Sequence, residues 1–152
     1  MVFIISVLII ILDQFTKHRA MLHLMNKRPY VVIKDFVQFH YVENRGAAFG
    51  ILQDKKVFFV IITVVVLIIA SYYLIANYHE LNKLTRIGVA LLIAGAVGNL
   101  IDRIRLGYVI DFISVRLINA YDFPVFNIAD ISIVIGTVII MILVLFDKYK
   151  VV

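Results

Sequence analysis

Two aspartates stand out in an otherwise apolar chain: Asp111 in GYVIDF and Asp130 in FNIAD. Both lie where apolar runs meet polar stretches, as at a membrane boundary, and ionisable residues there are costly and usually functional. Two carboxylates close together in a site of low dielectric constant cannot both ionise easily, so one keeps a proton. The ionised partner could take a proton from water while the neutral partner polarises a peptide carbonyl.

Other catalytic groups are poorly supported by the sequence. The chain has no cysteine, which excludes thiol nucleophiles, disulfides and Cys-ligated metals. His79 and Glu80 begin an HExxH pattern, but Lys83 occupies the position of the second histidine. The serines lack a GxSxG context. We therefore expect carboxylate chemistry without a metal or cofactor.

Four aspartates are candidates for this chemistry: Asp13, Asp102, Asp111 and Asp130. Lys17 follows Asp13 by four residues and Arg103 directly follows Asp102, so both acids are predicted to be salt-bridged supports. The other two have no cation at helical spacing and are freer to share a proton. Spacing alone leaves the choice of the pair open.

The composition is that of a membrane protein. Of 152 residues, 63% are hydrophobic and the mean hydropathy is +1.02, whereas soluble domains are about 45–50% apolar. The formal net charge of +5 fits binding to anionic lipid headgroups better than to nucleic acid. The N-terminal segment lacks a basic leader region and a cleavage site, so we expect a retained membrane span.

Four apolar segments predict a bundle of four transmembrane helices. A crossing needs about 20 residues, and the segment 57–78 reaches that length without a charge. The other three must include neighbouring ionisable residues. We predict an all-α membrane fold in one domain, 1–152, with spans at about 1–24, 57–78, 87–103 and 128–147. A small β-rich segment is expected at about 30–50.

The polar ends of these spans converge on one membrane face. By alternation, the ends of spans one and three and the start of span four share that face, here called face B. On helical spacing, Asn99, Asp102 and Arg103 lie on one side of their helix, and Asn127 and Asp130 are three apart. Polar faces of embedded helices should point inward, so these groups are expected to meet.

Two further segments have distinct patterns. The stretch 31–43 is rich in β-branched and aromatic residues and predicts strands resting on face B. It ends in NRGAAFG, where Gly46 permits a tight turn. The stretch 109–118 is interpreted as an interfacial segment. Gly95 and Gly98 predict close helix packing.

The motifs resemble those of one family, the lipoprotein signal peptidases, which are type II signal peptidases of bacteria. The resemblance runs from LDQFTK through YVENRGAAFGIL and GAVGNLIDRIRLGYVIDFI to FPVFNIADISIVIG. Four motifs in order at compatible spacing form a specific signal.

The resemblance implies an aspartic endopeptidase with four membrane helices and a site near the outer surface of the cytoplasmic membrane. It would cleave diacylglyceryl-modified prolipoproteins before the lipidated cysteine, with no nucleic-acid partner, and we expect a monomer in contact with membrane lipids. By motif, Asp111 and Asp130 are the catalytic pair. The positions that would bind substrate or support the pair are Asn44, Gly46, Asn99, Asp102, Arg103 and Asn127. Asp13 and Lys17 match as structural support.

Membrane orientation and one rival function are open at this point. Eleven Lys or Arg residues fall on face B and four on the opposite face A, which would place face B in the cytoplasm. The resemblance places face B outside and both termini in the cytoplasm, and we follow it because several of these cations belong to motifs. A small transporter or proton channel is the rival, but no polar relay extends toward face A. A different intramembrane aspartyl protease would carry GxGD, which Gly107 to Asp111 does not match.

Overall fold

The structure is a computed structural model that describes residues 2–46, 53–117 and 121–151. It combines four helices with a small antiparallel sheet. The elements in chain order are α1 (Val2–Leu24), β1 (Tyr30–Ile33), β2 (Val37–Asn44), α2 (Lys56–Ala76), α3 (Lys83–Arg105), β3 (Val109–Leu117), β4 (Tyr121–Asp122) and α4 (Ile128–Leu145).

Three helices, α2, α3 and α4, are long and apolar enough to cross a membrane. They agree within a few residues with the predicted spans at 57–78, 87–103 and 128–147. Helix α1 has 23 residues, which is sufficient length, but every 18-residue stretch of it contains the three charged residues Asp13, Lys17 and Arg19. The predicted helix at 1–24 is therefore present, while its passage through the membrane stays a prediction.

Helix α3 is the centre of the bundle and packs against α1, α2 and α4. Its contact with α4 is close because glycines face the neighbouring backbone. A Cβ atom added at Gly95 would overlap the Ala129 carbonyl oxygen, and one added at Gly136 would lie 2.5 Å from the Gly88 oxygen. Helix α2 buries little besides Leu74 and presents apolar side chains outward, as expected for a lipid-facing helix.

The sheet joins two separate parts of the chain at one end of the bundle. Its strand order is β1-β2-β3-β4, and neighbours are antiparallel. The predicted strands within 30–50 appear as β1 and β2, with residues 47–50 outside the described part. The stretch 109–118, which was interpreted as interfacial, forms strand β3 over Val109–Leu117, and its location at the membrane interface stays a prediction. Its β-branched residues suit a pleated strand, and its pairing places Val42 opposite Asp111.

The other end of the bundle is closed by the C-terminal tail. Leu81, in the turn between α2 and α3, forms a bridge with Lys150. The Val151 amide donates to the Glu80 carbonyl at 2.7 Å, and the Lys150 ammonium pairs with the Glu80 carboxylate at 2.8 Å. These contacts lie opposite the sheet and leave the polar motifs together at the sheet end.

Candidate active site

The predicted polar residues meet where the sheet rests on the helix ends. Strand β3 supplies Asp111, the start of α4 supplies Asp130, and the last turns of α3 supply Asn99. These side chains are joined by hydrogen bonds through one residue, Asn127, which precedes α4 and is fully buried. Elements distant in sequence thus contribute to one polar cluster.

Asn127 connects the two candidate catalytic carboxylates. Its side-chain Nδ2 donates to Asp111 Oδ1 at 2.7 Å, and its backbone N–H donates to Asp130 Oδ2 at 3.2 Å. Its Oδ1 accepts from the Asp130 backbone N–H at 2.9 Å, which completes a capping box at the start of α4. The helix cap that starts α4 therefore also fixes Asp130 relative to Asp111.

Asp111 is buried, with 2% of its surface exposed. Its second oxygen, Oδ2, accepts from Asn44 Nδ2 at 2.9 Å. Burial and, to a smaller extent, the charge of Asp130 raise the pKa of Asp111, and the amides of Asn44 and Asn127 lower it, so that the pKa is about 7. Asp111 can therefore hold a proton near neutral pH.

Asp130 lies in the first turn of α4, where the partial positive charge of the helix N-terminus favours a carboxylate. Its Oδ1 accepts from Asn99 Nδ2 at 2.7 Å. Asn99 is oriented in turn by Lys17, whose ammonium donates to Asn99 Oδ1 at 2.9 Å. Since Oδ1 accepts from Lys17, the amide nitrogen of Asn99 faces Asp130.

Lys17 is buried and is held by two carboxylates. Its Nζ lies 2.9 Å from Asp13 Oδ2 and 2.9 Å from Asp102 Oδ2. The predicted pairing of Lys17 with Asp13 at four-residue spacing is therefore present. The prediction that Asp102 pairs with the adjacent Arg103 was wrong in its partner, because the buried ammonium of α1 occupies that role.

Asp13 and Asp102 also bind the backbone of the elements that carry the candidate pair. Asp13 Oδ1 accepts from the Ala129 N–H at 2.9 Å, and Asp102 Oδ2 accepts from the Ile110 N–H at 3.2 Å. Ala129 directly precedes Asp130 in the sequence, and Ile110 directly precedes Asp111. The ion cluster therefore connects α1 and α3 to the segments bearing both aspartates.

Asn44, Gly46 and Arg103 lie on the open side of the cluster. Asn44 Oδ1 accepts from the Gly46 N–H at 3.0 Å, which orients its Nδ2 toward Asp111. The Arg103 guanidinium donates to the Gly46 carbonyl at 3.4 Å and lies over the Phe59 ring of α2, 5.0 Å from its centre. These contacts connect the end of β2 to helices α2 and α3.

Both candidate aspartates border a cavity of about 720 Å³, a volume common for ligand sites. Its polar lining includes Asn44, Asn99 and Arg103. Much of the remaining wall is apolar and comes from β2, β3, the segment before α4 and α4 itself. These apolar residues are Val42, Val109, Phe123, Pro124, Val125, Phe126, Ile131, Ile133, Val134 and Ile135.

Sequence reasoning missed three parts of the site. The Gln14 amide donates to Asp102 Oδ1 at 3.0 Å and to the Gly98 carbonyl at 3.2 Å, and its place in LDQFTK beside Asp13 was a usable signal. The apolar wall was also missed, although the FPVF run directly before Asn127 hinted at it. Glu43 and Gln53 also line the cavity, and no sequence signal identified them.

Within residues 2–46, 53–117 and 121–151, no group of three or more His, Asp or Glu side chains is arranged to hold a metal ion. The acids of the cluster are instead satisfied by asparagine amides, backbone N–H groups and Lys17. This donor set suits proton transfer by carboxyl groups.

Comparison with known proteins gives a consistent result. The family model described as signal peptidase (SPase) II matches residues 5–146. The chain is 47% identical over 142 residues to a lipoprotein signal peptidase of Clostridium tetani, covering 93% of this chain and 90% of that protein. It is 48% identical to one of Caldanaerobacter subterraneus, covering 96% and 97%.

Solved structures agree with these sequence matches. Two structures, each described as a bacterial membrane enzyme, superpose with a TM-score of 0.85 and 41% sequence identity. The first alignment covers 97% of this chain and 88% of the solved chain, and the second covers 96% and 93%. The similarity therefore extends over almost the whole molecule.

Proposed function

The chain belongs to the signal peptidase II family of membrane proteases, and we propose that it removes the signal peptide from diacylglyceryl-modified prolipoproteins. The cut falls directly before the lipidated cysteine. The predicted resemblance to this family is confirmed by the family match. The proposed chemistry is that of an aspartic endopeptidase using Asp111 and Asp130.

One observation carries the proposed chemistry: Asn127 binds both carboxylates. Its side-chain amide donates to Asp111 and its backbone N–H to Asp130, beside a cavity that both acids border. Two acids with such different surroundings can divide the roles of acid and base. We assign the resting proton to Asp111, which is buried in the sheet. Asp130, at the helix N-terminus, is the ionised partner.

The reaction follows from this division. Asp130 takes a proton from water as the water oxygen attacks the scissile carbonyl carbon, and Asp111 gives its proton to the carbonyl oxygen. When the tetrahedral intermediate collapses, the C–N bond breaks and Asp130 passes its proton to the leaving amine. Asp111 regains its proton as the carbonyl re-forms, so both groups return to their starting states.

The remaining polar residues support this pair. Asn44 and Asn127 hold Asp111, and Asn99 holds Asp130. Gly46 and Arg103 border the cavity where the peptide backbone would lie. Asp102, with Asp13 and Lys17, fixes the helices and strands that carry the pair. The last three act through structure and not by touching substrate.

The cavity suits a substrate that is partly peptide and partly lipid. Its polar groups gather around the aspartates, while its apolar wall extends onto α4 through Ile131, Val134 and Ile135. A signal peptide and acyl chains reaching the site from the bilayer would contact this wall. The scissile bond would then lie at the level of the carboxylates.

We propose that α1 is a fourth membrane span. Asp13 and Lys17 are buried inside the bundle, whereas Phe3, Leu8 and Phe15 are exposed. The surface that α1 would present to lipid is therefore apolar despite its charges. With four spans, both termini lie on one side, which we place in the cytoplasm, with the site near the extracytoplasmic face. A monomer surrounded by lipid suffices for this site.

The substrate proposal is tested with the purified protein in bilayers. A diacylglyceryl-modified precursor and the same precursor with an unmodified cysteine are incubated with the enzyme, and products are identified by mass. We expect a single cut before the cysteine in the modified precursor and little cleavage of the other. Equal cleavage of both precursors would contradict the proposed substrate.

The membrane orientation has a separate test. Reporter domains are fused at the Glu80 turn and at the C-terminus, and their side of the membrane is read in cells. We expect both on the cytoplasmic side. Placement of both outside would reverse the orientation, and placement on opposite sides would refute the four-span arrangement.

A further inference from the structure

The β1–β2 hairpin carries an apolar surface that the proposed peptidase reaction does not use. Five side chains are between 47% and 65% exposed. We define the hairpin surface as these five residues together with the three exposed cations beside them. The apolar members are Tyr30, Val31, Val32, Ile33 and Phe36, and the cations are Lys27, Arg28 and Lys34.

Exposure of this apolar surface to water alone is unfavourable. Strand β1 forms one edge of the sheet, and an exposed apolar edge strand favours association with other chains. Contiguous exposed apolar residues on a folded protein usually mark a binding surface. The exposed row at 30–33 therefore indicates a partner that covers it.

The position of the hairpin indicates the level in the membrane at which that partner lies. Helix α1 ends at Leu24, and β1 begins six residues later at Tyr30. Strand β2 pairs with β3, which starts four residues after the end of α3 at Arg105. The sheet is thus held at the end of a membrane-length helix. An edge with unpaired backbone groups is not tolerated in hydrocarbon, so the headgroup layer is the depth that fits.

Charge selects the kind of headgroup. Residues 27–36 carry three cations against one carboxylate, Asp35. Beside them is a hollow of about 120 Å³, lined by two cations and one carboxylate, so that its formal charge is positive. Its polar lining consists of Lys34, Arg116, Asp35, Gln38 and Ser114, and the rest is formed by apolar residues of the hairpin. A cationic and hydrogen-bonding hollow next to exposed apolar side chains complements a phosphodiester attached to acyl chains.

We propose that the hairpin surface binds anionic glycerophospholipid, with the phosphate near Lys34 and the apolar side chains among the upper acyl chains. This contact anchors the sheet, and with it strand β3, to the membrane interface. Lipid binding at the hairpin surface takes place outside the catalytic cavity and does not depend on the proposed peptidase reaction.

The chain has no tryptophan, so Val32→Trp introduces a unique fluorescent reporter on this surface. The variant is reconstituted in bilayers containing brominated phosphatidylglycerol or brominated phosphatidylcholine, which quench tryptophan on contact. We expect blue-shifted emission and stronger quenching by the anionic lipid. A cation near an anionic surface contributes about 1 kcal/mol, or about fivefold at 1.4 kcal/mol per tenfold. Adding Lys34→Gln should therefore lower the preference about fivefold.

Three further variants complete the design. Adding Lys27→Gln and Arg28→Gln to Lys34→Gln should abolish the lipid preference, whereas Lys148→Gln at the opposite end of the bundle should leave it unchanged. Phe36→Trp reports on the same surface if Val32→Trp perturbs the hairpin. Emission as in water, or equal quenching by both lipids, would overturn the proposal. Shielding that depends on the protein-to-lipid ratio would overturn it in favour of a second copy.

Discussion

Replacing Asn127 by serine should separate its structural role from its role in the reaction. Asn127 caps α4 through Oδ1 and binds Asp111 through Nδ2. A serine hydroxyl can accept the same cap hydrogen bond from Asp130, but it is too short to replace the amide at Asp111. Asn127→Ser should therefore keep the helix start while removing one donor from Asp111. Asn127→Ala removes both interactions.

The expected magnitudes follow from these bonds. Loss of a helix cap costs about 1 kcal/mol, and removing the donor to a buried acceptor such as Asp111 Oδ1 costs about 1–3 kcal/mol. Asn127→Ala should therefore lower the free energy of unfolding by about 3 kcal/mol. Asn127→Ser should lose about 1 kcal/mol less, because it keeps the helix cap. If the lost donor acts on the transition state, kcat/KM should fall about 10- to 100-fold in both variants.

The pH dependence of kcat/KM gives a second readout. The pKa of Asp111 is about 7, and the bond from Asn127 lowers it. In the wild type, kcat/KM should fall as pH rises through about 7, because Asp111 loses the proton that it is proposed to give to the carbonyl. Asn127→Ser should move that decline to higher pH. Wild-type kcat/KM with an unmoved pH profile in the serine variant would refute the reasoning.

Three further predictions concern stability, measured by thermal unfolding in detergent. Lys17→Met leaves two buried carboxylates without their cation and should lower the free energy of unfolding by about 3–5 kcal/mol; an unchanged midpoint would contradict this. Gly95→Ala forces a methyl group onto the Ala129 carbonyl and should cost about 1–3 kcal/mol. Gly88→Ala should cost less, because its methyl group would lie 3.0 Å from a movable isoleucine side chain and 3.1 Å from the Gly136 carbonyl oxygen; equal losses would contradict the packing argument. Asp111 should contribute stability at about pH 4 that is lost as pH rises to about 7, because its carboxyl binds a proton more tightly in the native state than in the unfolded chain. Asp111→Asn should remove this contribution, and the same pH dependence of stability in wild type and variant would contradict it.

Local spacing predicted the contacts that lie within one helix. Lys17 four residues after Asp13 gave the salt bridge, and Asp130 three residues after Asn127 gave the residues that form the capping box. The long apolar segments gave three helices of membrane length. In each case the periodicity of the α-helix determines which residues meet.

Contacts between distant segments could not be read in the same way. Asp102 was expected to pair with its neighbour Arg103, but side chains adjacent on a helix point apart, and Lys17 of α1 meets Asp102 through helix packing. Strand β3 was missed because its pairing partner, β2, lies on the far side of two helices in sequence. A single sequence does not show which distant strands pair or which helix faces meet.

Asp111 and Asp130 were singled out by different kinds of evidence. Spacing left four aspartates as candidates, and the family resemblance indicated these two. The geometry adds a physical reason, since Asp13 and Asp102 are both paired with Lys17 while the other two border the cavity. Asp13 and Asp102 are therefore satisfied by a buried cation, unlike the pair held by asparagine amides.

Cleavage by three single variants tests the catalytic assignment most directly. Asp111→Asn, Asp130→Asn and the exposed control Asp35→Asn are purified, checked for folding by circular dichroism, and incubated with a diacylglyceryl-modified precursor. We predict that the first two are folded but show no measurable cleavage, while Asp35→Asn cleaves at the wild-type rate. Normal cleavage by a folded Asp111→Asn or Asp130→Asn enzyme would contradict the proposed aspartic pair.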